Sequence, residues 1–592
     1  MQTSWRWLAV VVLAMALTRP EAAVAAPKTK RPNVILIVTD DQGIGDFSLA
    51  GNPVLKTPSL DALATGGMRM TRFYVCPVCT PTRAALMTGR YNYRTRAIDT
   101  YLGRAMMEPS EVTLAEALRD AGYATGIFGK WHLGDNYPMR AMDQGFEESL
   151  VIRGGGIGQP SDPPGGEGKY TDPVLFHNGR AEPRKGYCTD VFFEAAGEWM
   201  AKAVRQERNF FAYIPTNAPH SPLADVPQDL YEQYRKLDYG PVLVPPVEGP
   251  APPAQADMLA RVFAMIANID ANVGRMMNRL KELGVLDDTV ILFLNDNGPN
   301  SRRFVGPLRG MKAEVYEGGI RAAFFAHWPA GIRPRATSDV PAAHIDVMPT
   351  LLDACGVAPP SGVKLDGRSL MPVLTGTFTE WPERTLFVQS HRGDQPVRYH
   401  HCAVITARWK LVNPSGFGLE IYAGPPKFEL YDLEKDPGER QDRSAEHPEI
   451  VARLREDYER WFADVGSTRP DNYAPPRIHV GTPHENPVVL TRQNWRLEVN
   501  GAVRPGNQGV WRLRVARAGT YQVRLRFPTA AAAGEALLRF GGYENRKPIR
   551  PGDAECIFAD VSQPDGNADL KATLTIGGKT QGPWQVDVEG PP

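Results

Sequence analysis

Four short runs of β-branched and aromatic residues place the strongest constraint on the fold of this chain. They cover residues 34–38, 124–128, 210–214 and 290–294, and longer segments with helical periodicity lie between them. Strands that alternate with helices are typical of a mostly parallel sheet with helices on both faces. The sequence therefore predicts an α/β fold, with a mixed, mostly parallel sheet sandwiched by helices, for the main part of the chain.

Each of these runs is followed directly by polar residues. The first leads into Asp40 and Asp41, and the last leads into Asp296 and Asn297. Ligands of open α/β sheets bind beyond the carboxyl ends of the strands, so these side chains are predicted to meet at one edge. Carboxylate and amide oxygens suit calcium or magnesium better than zinc. For Asp40 and Asp41 alone, a turn or helix cap is the simpler explanation.

A second candidate site lies in the segment Cys79-Thr80-Pro81-Thr82-Arg83. Thr80 is a suitable N-cap and Pro81 a suitable first helical residue, which predicts that Cys79 lies just before a helix. The free N–H groups and the positive dipole end at such a position favour an anion. For a lone cysteine, the alternatives are a small buried apolar residue and a disulfide with Cys76.

This segment, continued by Ala-Ala-Leu-Met-Thr-Gly-Arg over residues 84–90, resembles the signature of the formylglycine-dependent sulfatases of the alkaline phosphatase superfamily. Thr82 stands where many of these enzymes have serine. Other motifs carry the same resemblance: Gly-Lys-Trp-His-Leu-Gly at 129–134, Asn-Ala-Pro-His-Ser-Pro at 217–222, and residues 310–321. Together with later segments they extend it over residues 30–465, which implies an alkaline-phosphatase-like core.

The resemblance implies an arylsulfatase-like sulfuric ester hydrolase. In that family a formylglycine-generating enzyme oxidises the cysteine to formylglycine, and the aldehyde hydrate attacks the sulfate ester. The metal, usually Ca²⁺ and alternatively Mg²⁺, is assigned to Asp40, Asp41, Asp296, Asn297 and the formylglycine at position 79. The resemblance assigns catalytic roles to Cys79, Arg83, Lys130, His132, His220 and Lys312.

The implied roles of these groups follow from the negative charge that develops on the sulfuryl and leaving oxygens. Asp296 assists deprotonation of the hydrate, while His220 and Lys312 stabilise and protonate the leaving alcohol. His132 then takes a proton from the remaining hydroxyl, which expels sulfate and restores the aldehyde. Arg83 and Lys130 hold the formylglycine and the sulfate oxygens. For an isolated lysine or histidine, a solvated surface group or a core group is the simpler explanation.

The composition and the N-terminus indicate where such an enzyme works. Lys plus Arg and Asp plus Glu number 67 each in 592 residues, so no net charge favours nucleic acid or an anionic membrane. An apolar run at 7–17 after Arg6, with Ala23-Val24-Ala25 beyond it, predicts a signal peptide over residues 1–25. We expect a periplasmic or secreted protein whose mature chain does not insert into a membrane.

Shifts in composition divide the rest of the chain. The predicted units are a catalytic α/β domain at 26–375, a smaller antiparallel α+β subdomain at 376–470, a linker at 471–487 and a β-rich domain at 488–592. Short strands separated by glycine-containing turns predict that the last unit is β-sandwich-like, and either a sugar-binding module or a structural lid.

Sulfated glycans are the predicted substrate, because an export signal, a glycine-rich segment at 153–168 and an appended β-domain occur together. His391 and Arg392 are candidate sugar contacts, as are His400 and His401, with surface solvation as the alternative. Two other functions remain open. One is a phosphonate or phosphodiester hydrolase with the same aldehyde, metal and cations, and the other is a non-catalytic glycan-binding protein on a sulfatase scaffold.

Overall fold

The computed structural model describes residues 31–162, 168–378, 380–468, 473–497 and 508–591. The predicted signal peptide lies outside these residues. The described chain forms a large mixed sheet covered by helices, a four-stranded antiparallel sheet and two further sheets near the C-terminus. This architecture confirms the predicted α/β fold class.

A mixed 11-stranded sheet forms the centre of the molecule. Its strands are β1 (Asn33–Thr39), β2 (Met68–Tyr74), β3 (Ala124–Lys130), β4 (Glu148–Ile152), β5 (Val174–His177), β6 (Arg180–Pro183), β7 (Phe210–Pro215), β8 (Thr289–Asn295), β9 (Arg321–His327), β10 (Ala336–Ser338) and β11 (Ala342–Ala343). The strand order is β10-β2-β9-β8-β1-β7-β3-β4-β5-β6, with β11 also paired to β2.

The four predicted runs are neighbours in this sheet. They are β8, β1, β7 and β3, in that spatial order, and each adjacent pair is parallel. Every residue of these four strands is buried, as expected for central parallel strands covered on both faces. Their carboxyl ends therefore lie along one edge, where the polar residues after them meet.

Helices cover both faces of the sheet. They are α1 (Pro58–Thr65), α2 (Cys79–Thr88), α3 (Asn92–Thr95), α4 (Leu114–Asp120), α5 (Cys188–Arg205), α6 (Gln228–Tyr234), α7 (Pro253–Glu282), α8 (Glu317–Ile320), α9 (Val347–Ala354), α10 (Met371–Thr375) and α11 (Pro448–Gly466), with 3-10 turns at Ser48–Ala50, Ala141–Asp143, Gly240–Val242 and His344–Asp346. Alternate residues of β1 point to opposite faces. Val34 and Leu36 join a core with α2, α4 and α9, whereas Ile35 and Ile37 join a core with α1, α5 and α7.

A smaller antiparallel sheet packs beside the main sheet. It contains β12 (Leu386–Gln389), β13 (Cys402–Ile405), β14 (Trp409–Asn413) and β15 (Glu429–Asp432), in that order. Its apolar residues share one core with α11 and with residues of the main unit such as Tyr74 and Ile320. The small sheet is therefore attached to the central sheet by a continuous apolar interface.

The C-terminal strands form two facing sheets. They are β16 (Ile478–Val480), β17 (Val488–Thr491), β18 (Arg496–Leu497), β19 (Gly509–Val515), β20 (Gly519–Arg526), β21 (Gly534–Phe540), β22 (Tyr543–Ile549), β23 (Glu555–Gln563), β24 (Gly566–Ile576), β25 (Lys579–Gln581) and β26 (Gln585–Glu589). Buried and partly exposed residues alternate along β19 and β20, as in a sandwich with one solvated face. Strand β16 lies inside the predicted linker and pairs with β19, so the β-rich unit begins earlier than the sequence indicated.

One interface joins this β-sandwich to the main unit. Leu102, Met106 and Met139 come from segments of the main unit, yet they are buried in the core of the sandwich. Among the described residues, no helix is both long and apolar enough to cross a membrane.

Candidate active site

The site begins at the N-terminus of α2. The helix starts at Cys79 itself, and Val78, with extended backbone angles, occupies the N-cap position. The predicted cap at Thr80 is therefore wrong, because its hydroxyl donates instead to the carbonyl of His132 at 3.2 Å. Cys79 nevertheless lies at the helix end whose N–H groups favour an anion.

Strands β1 and β8 bring the acidic residues to this helix end. The N–H of Asp296 donates to the carbonyl of Thr39 at 3.0 Å, which holds the two strand ends together. Asp41 has a positive φ of 64°, a conformation that aspartate tolerates better than most residues. One ligand atom each from Asp40, Asp41, Cys79 and Asp296 lies within 4.8 Å of all the others.

Each buried carboxylate is paired with a cation. Lys130 Nζ lies 2.5 Å from an oxygen of Asp40, and Lys312 Nζ lies 2.5 Å from an oxygen of Asp41. Arg83 donates twice to Asp296 Oδ2, at 3.1 and 2.8 Å. Burying a charge without a partner costs free energy of folding. The three ion pairs offset this cost and allow three carboxylates to be buried close together.

Burial and the neighbouring charges together shift the pKa values of Asp40 and Asp296 in opposite directions. Burial alone raises the pKa of Asp40, but Lys130 and the other nearby cations hold it well below its ordinary value. Burial, together with the charge of Asp40, raises the pKa of Asp296 to about 6. Burial lowers the pKa of Lys312, but the combined attraction of Asp41 and the other nearby acidic groups raises it well above its ordinary value. The Lys312 side chain is therefore positively charged.

Cys79 faces this charged cluster. Its Sγ lies 3.4 Å from Asp40 Oδ1 and 3.5 Å from Lys312 Nζ. Burial, reinforced by Asp40, raises the pKa of the thiol to about 12. The thiolate is the reactive form of cysteine, so unmodified Cys79 is a poor nucleophile at neutral pH. All six cysteines of the chain are buried and free, which excludes the alternative of a disulfide with Cys76.

The donor set fits a hard divalent cation. Asn297 Nδ2 donates to Asp41 Oδ1 at 2.9 Å, while its Oδ1 is buried without a hydrogen-bond partner. A buried amide oxygen without a hydrogen-bond partner destabilises the fold unless it coordinates a cation. Three carboxylates and one amide oxygen match the all-oxygen preference of Ca²⁺ and Mg²⁺. The side chains of Asp40, Asp41, Asp296 and Asn297 are thus chemically suited to hold such an ion.

Hydrogen bonds determine which ring nitrogen carries the proton in the two candidate catalytic histidines. His132 Nε2 lies 2.7 Å from the carbonyl of Thr100, and His220 Nδ1 lies 2.7 Å from the carbonyl of Ser221. A carbonyl only accepts, so each of these nitrogens carries the proton. Burial lowers the pKa of both rings, which favours the neutral form. The free nitrogens are Nδ1 of His132 and Nε2 of His220, and the latter lies 3.7 Å from Asp41 Oδ2.

Two adjacent glycines make room for these rings. A Cβ on Gly155 would lie 2.5 Å from Cε1 of His132, and a Cβ on Gly156 would lie 3.0 Å from Nδ1 of His220. These two glycines of the glycine-rich segment therefore pack directly on both histidines.

Comparisons with known proteins identify the family of this chain. Residues 32–357 match the family model described as Sulfatase, and residues 311–463 match the one described as N-sulphoglucosamine sulphohydrolase, C-terminal. The chain is 34% identical to arylsulfatase A of Homo sapiens over 456 residues, which covers 70% of this chain and 83% of that protein. The chain belongs to the sulfatase family.

Two further similarities come from bacterial and structural relatives. The sulfatase is 28% identical to N-acetylgalactosamine-6-O-sulfatase of Bacteroides thetaiotaomicron, with 72% of this chain and 92% of that protein covered. It superimposes on the crystal structure of Ps i-CgsB in complex with k-i-k-neocarrahexaose with a TM-score of 0.61 and 26% identity, covering 73% of this chain and 93% of that one. The recognised resemblance and the assignment as a sulfatase enzyme are confirmed.

The structure brings ten of the predicted residues of this sulfatase into one region. Nine are linked by the contacts described above, and His132 is tied to the same region through the hydroxyl of Thr80, next to Cys79. Sequence reasoning missed Arg303, which is fully buried, pairs with Asp46 at 2.7 Å and donates to the carbonyl of Asp41 at 2.8 Å. No motif in the sequence marks this arginine as part of the site.

The predicted sugar contacts lie further out and differ from one another. His391 is buried, and its two ring nitrogens bond to the carbonyl of Arg392 at 2.6 Å and the N–H of Val397 at 3.0 Å. It has no ring nitrogen left for a sugar hydroxyl, so this part of the prediction is corrected. The Arg392 side chain is 25% exposed and lies over Tyr101 at 4.0 Å while pairing with Asp99 at 3.2 Å.

His400 and His401 form hydrogen bonds with backbone groups of the fold. His401 Nε2 lies 2.9 Å from the carbonyl of Ala313, the residue after Lys312, and its Nδ1 accepts from the N–H of Gly416. His400 Nε2 lies 3.1 Å from the carbonyl of Gly416. Both side chains are buried, so neither is available as a sugar contact.

Proposed function

We propose that this sulfatase hydrolyses sulfate esters of glycans through a formylglycine formed from Cys79, with a divalent cation, Ca²⁺ or alternatively Mg²⁺, beside it. The observation that carries the proposal is the position of Cys79 Sγ, between Asp40 Oδ1 at 3.4 Å and Lys312 Nζ at 3.5 Å. A thiol whose pKa is raised to about 12 is unsuited to nucleophilic attack, whereas an aldehyde hydrate at this position supplies an oxygen nucleophile.

Charge balance supports both the cation and the anionic substrate. The three carboxylates are matched by Arg83, Lys130 and Lys312, so the protein groups alone are close to neutral. A divalent ion held by Asp40, Asp41, Asp296 and Asn297 makes the site positive and stabilises charge on the oxygens of a sulfate ester.

The side of the site that opens to solvent indicates where the leaving alcohol lies. The Lys312 and His220 side chains are 19% and 13% exposed, whereas Arg83, Lys130 and Asp296 are fully buried. Lys312 and His220 are therefore placed to meet the part of the substrate that projects outwards. We assign them the stabilisation and protonation of the leaving oxygen. Charged Lys312 carries a proton that can be transferred, whereas His220 Nε2 bears no proton in the neutral ring and acts as an acid only after it has taken one up.

The buried groups act on the sulfate side. Arg83 and Lys130 orient the nucleophile and the sulfuryl oxygens, and Asp296, whose carboxylate lies within 4.8 Å of the side-chain ligand atom of residue 79, is assigned the deprotonation of the hydrate. Because Nε2 of His132 is bound to the Thr100 carbonyl, its Nδ1 is the atom that removes the proton when sulfate is released.

The glycan substrate rests on the relatives and on the predicted export. One relative is an N-acetylgalactosamine-6-O-sulfatase, and one similar structure holds k-i-k-neocarrahexaose. Maturation by a formylglycine-generating enzyme, a signal peptide over residues 1–25 and a periplasmic or secreted location belong to the same proposal. Arg392, partly exposed near Asp99, remains the proposed sugar contact of the smaller subdomain.

A substrate panel tests this proposal. Protein matured in a host with a formylglycine-generating enzyme is assayed on sulfated mono- and oligosaccharides that vary in sugar and sulfate position, and on nitrophenyl sulfate, phosphate and phosphonate. We expect inorganic sulfate from at least one glycan and weaker turnover of the phosphorus esters. Preferred turnover of the phosphonate would reassign the enzyme to phosphonate hydrolysis, and glycan binding without turnover of any ester would make it a binding protein.

A further inference from the structure

One backbone carbonyl links the β-sandwich to His132 of the proposed active site. The carbonyl of Thr100 accepts a hydrogen bond from Nε2 of His132 at 2.7 Å and another from Nε2 of Gln493 at 2.9 Å. Gln493 follows strand β17 and lies beyond residue 463, the last residue that either family model matches. Its side chain is almost completely buried.

The loop that carries this carbonyl, residues 99–103, is fastened to the sandwich by its backbone. The N–H of Gly103 donates to the carbonyl of Gln493 at 3.0 Å, and Arg496 donates to the carbonyl of Leu102 at 2.9 Å. The Leu102 side chain is buried in the core of the sandwich. A Cβ on Gly103 would lie 3.1 Å from the carbonyl oxygen of Asn494, so the two segments are in close contact.

The loop is held from the other side by the smaller subdomain. Arg392 pairs with both carboxylate oxygens of Asp99, at 3.2 and 3.3 Å, and Asp99 in turn accepts from the N–H of Thr100 at 2.6 Å. The Thr100 carbonyl is thus positioned by contacts from two different units. Gln493 is the side chain among these that shares the acceptor of His132 directly.

We propose that Gln493 is a positioning residue for the sulfatase reaction, which fixes the Thr100 carbonyl and thereby the ring of His132. The bond between His132 Nε2 and the Thr100 carbonyl keeps the ring proton on Nε2 and leaves Nδ1 buried without a hydrogen-bond partner. This inference rests on the proposed function, in which Nδ1 of His132 accepts the proton that accompanies sulfate release. It also gives the β-sandwich a role in the chemistry that needs no sugar-binding surface.

Kinetics of Gln493→Ala in the full-length matured enzyme test this role. Loss of this bond lets the Thr100 carbonyl and the His132 ring shift while the other contacts hold the loop in place. Small displacements of a catalytic group are costly, so kcat is expected to fall roughly 10- to 100-fold with little change in KM. Gln493→Met keeps the length of the side chain but has no N–H or O–H donor, and it should show the same loss of kcat. It also serves as the second variant if Gln493→Ala fails to fold.

Gln563→Ala is the matched control. Gln563 is also buried in the sandwich and donates its Nε2 to a backbone carbonyl, that of Phe540 at 2.7 Å, with no link to the site. Both alanine variants should lower the melting temperature, but Gln563→Ala should leave kcat at the wild-type value. Equal losses of kcat in both would show that the effect is only structural and would overturn the inference, as would wild-type kcat in both Gln493 variants.

A spectroscopic measurement separates this inference from the proposed function. In protein labelled with ¹⁵N-histidine, the Nε2 proton of His132 should be protected from exchange in wild type and in Gln563→Ala, but exposed to exchange in Gln493→Ala. If the wild-type enzyme turned over no sulfate ester, the proposed function would fail while this readout still decided the role of Gln493. An unchanged His132 signal in Gln493→Ala would refute the positioning role.

Discussion

At the scale of single residues, two features set the site apart: glycines with no space for a side chain, and a buried amide oxygen with no hydrogen-bond partner. Gly155 and Gly156 touch the two histidines so closely that any side chain would displace a ring. Asn297 Oδ1 is buried without a hydrogen-bond partner beside three carboxylates. A buried polar atom without a partner lowers the stability of a fold, so Asn297 Oδ1 is explained by an ion that it would coordinate. The two glycines are explained by the space that the catalytic-candidate histidines need.

Gly155→Ala should therefore damage catalysis with little effect on ion binding. The added Cβ would lie 2.5 Å from Cε1 of His132, so the ring has to move, and kcat should fall by roughly 100-fold. Gly418→Ala is the control, because Gly418 is a loop glycine with ordinary φ and open space around its Cβ position. Steady-state kinetics of both variants make the comparison, and a fully active Gly155→Ala enzyme would show that His132 is not constrained as described.

Asn297→Ala should weaken the binding of the divalent ion. An ion that binds only the folded state adds about 2.7 kcal/mol of stability at a concentration 100 times its Kd. The wild-type melting temperature should therefore rise with calcium and fall with chelator, and Asn297→Ala should narrow that difference. Asn272→Ala, at another buried asparagine, should shift the melting temperature equally in both conditions. Wild-type protein indifferent to calcium and magnesium, or active with stoichiometric zinc, would contradict the metal assignment.

At the scale of elements, a buried ion triad joins the small sheet to the main unit. Lys410 of β14 lies 2.9 Å from Glu317 of α8 and 2.8 Å from Glu439, and all three side chains are fully buried. Glu439 also accepts from the N–H of Glu317 at 2.6 Å. Helix α8 follows the Lys312 loop directly, so the triad fixes one side of the active site to the smaller subdomain.

This triad predicts a specific pH dependence of stability. Burial, together with the charge of Glu317, raises the pKa of Glu439 from 4.5 to about 7. The folded state then binds more protons than the unfolded state between these values, so the contribution of Glu439 to stability decreases as pH rises from 4.5 to 7. Glu439→Gln should remove this contribution. Chemical denaturation of both proteins at several pH values measures it, and identical pH slopes would refute the assignment.

At the scale of the whole molecule, the sequence predicted the parts of the fold that repeat a local pattern. Buried runs such as that of β1 specify the central parallel strands, and the polar residues at their ends specify the edge where the site forms. The catalytic and metal-ligand candidates were found because each lies in such a segment or in a recognisable motif. Their mutual distances place them at one site, although their individual roles remain proposals.

Contacts between distant segments could not be predicted from such patterns. Gln493 and Thr100 are 393 positions apart, and nothing in either segment marks their shared carbonyl. His391 looked like a sugar contact because it is polar, but burial and two backbone hydrogen bonds occupy its ring. The turn-rich stretch at 470–487 predicts a linker, and strand β16 within it escapes prediction because it is only three residues long and pairs with a strand more than 30 positions away.

The state of residue 79 tests the central claim most directly. Mass spectrometry of the peptide that contains it, from active enzyme made with a formylglycine-generating enzyme, should show replacement of the CH₂–SH side chain by an aldehyde. Sulfate release should scale with the fraction converted, and Cys79→Ala should fold normally without turnover. Full sulfatase activity in protein that carries only the unmodified thiol at position 79 would contradict the account.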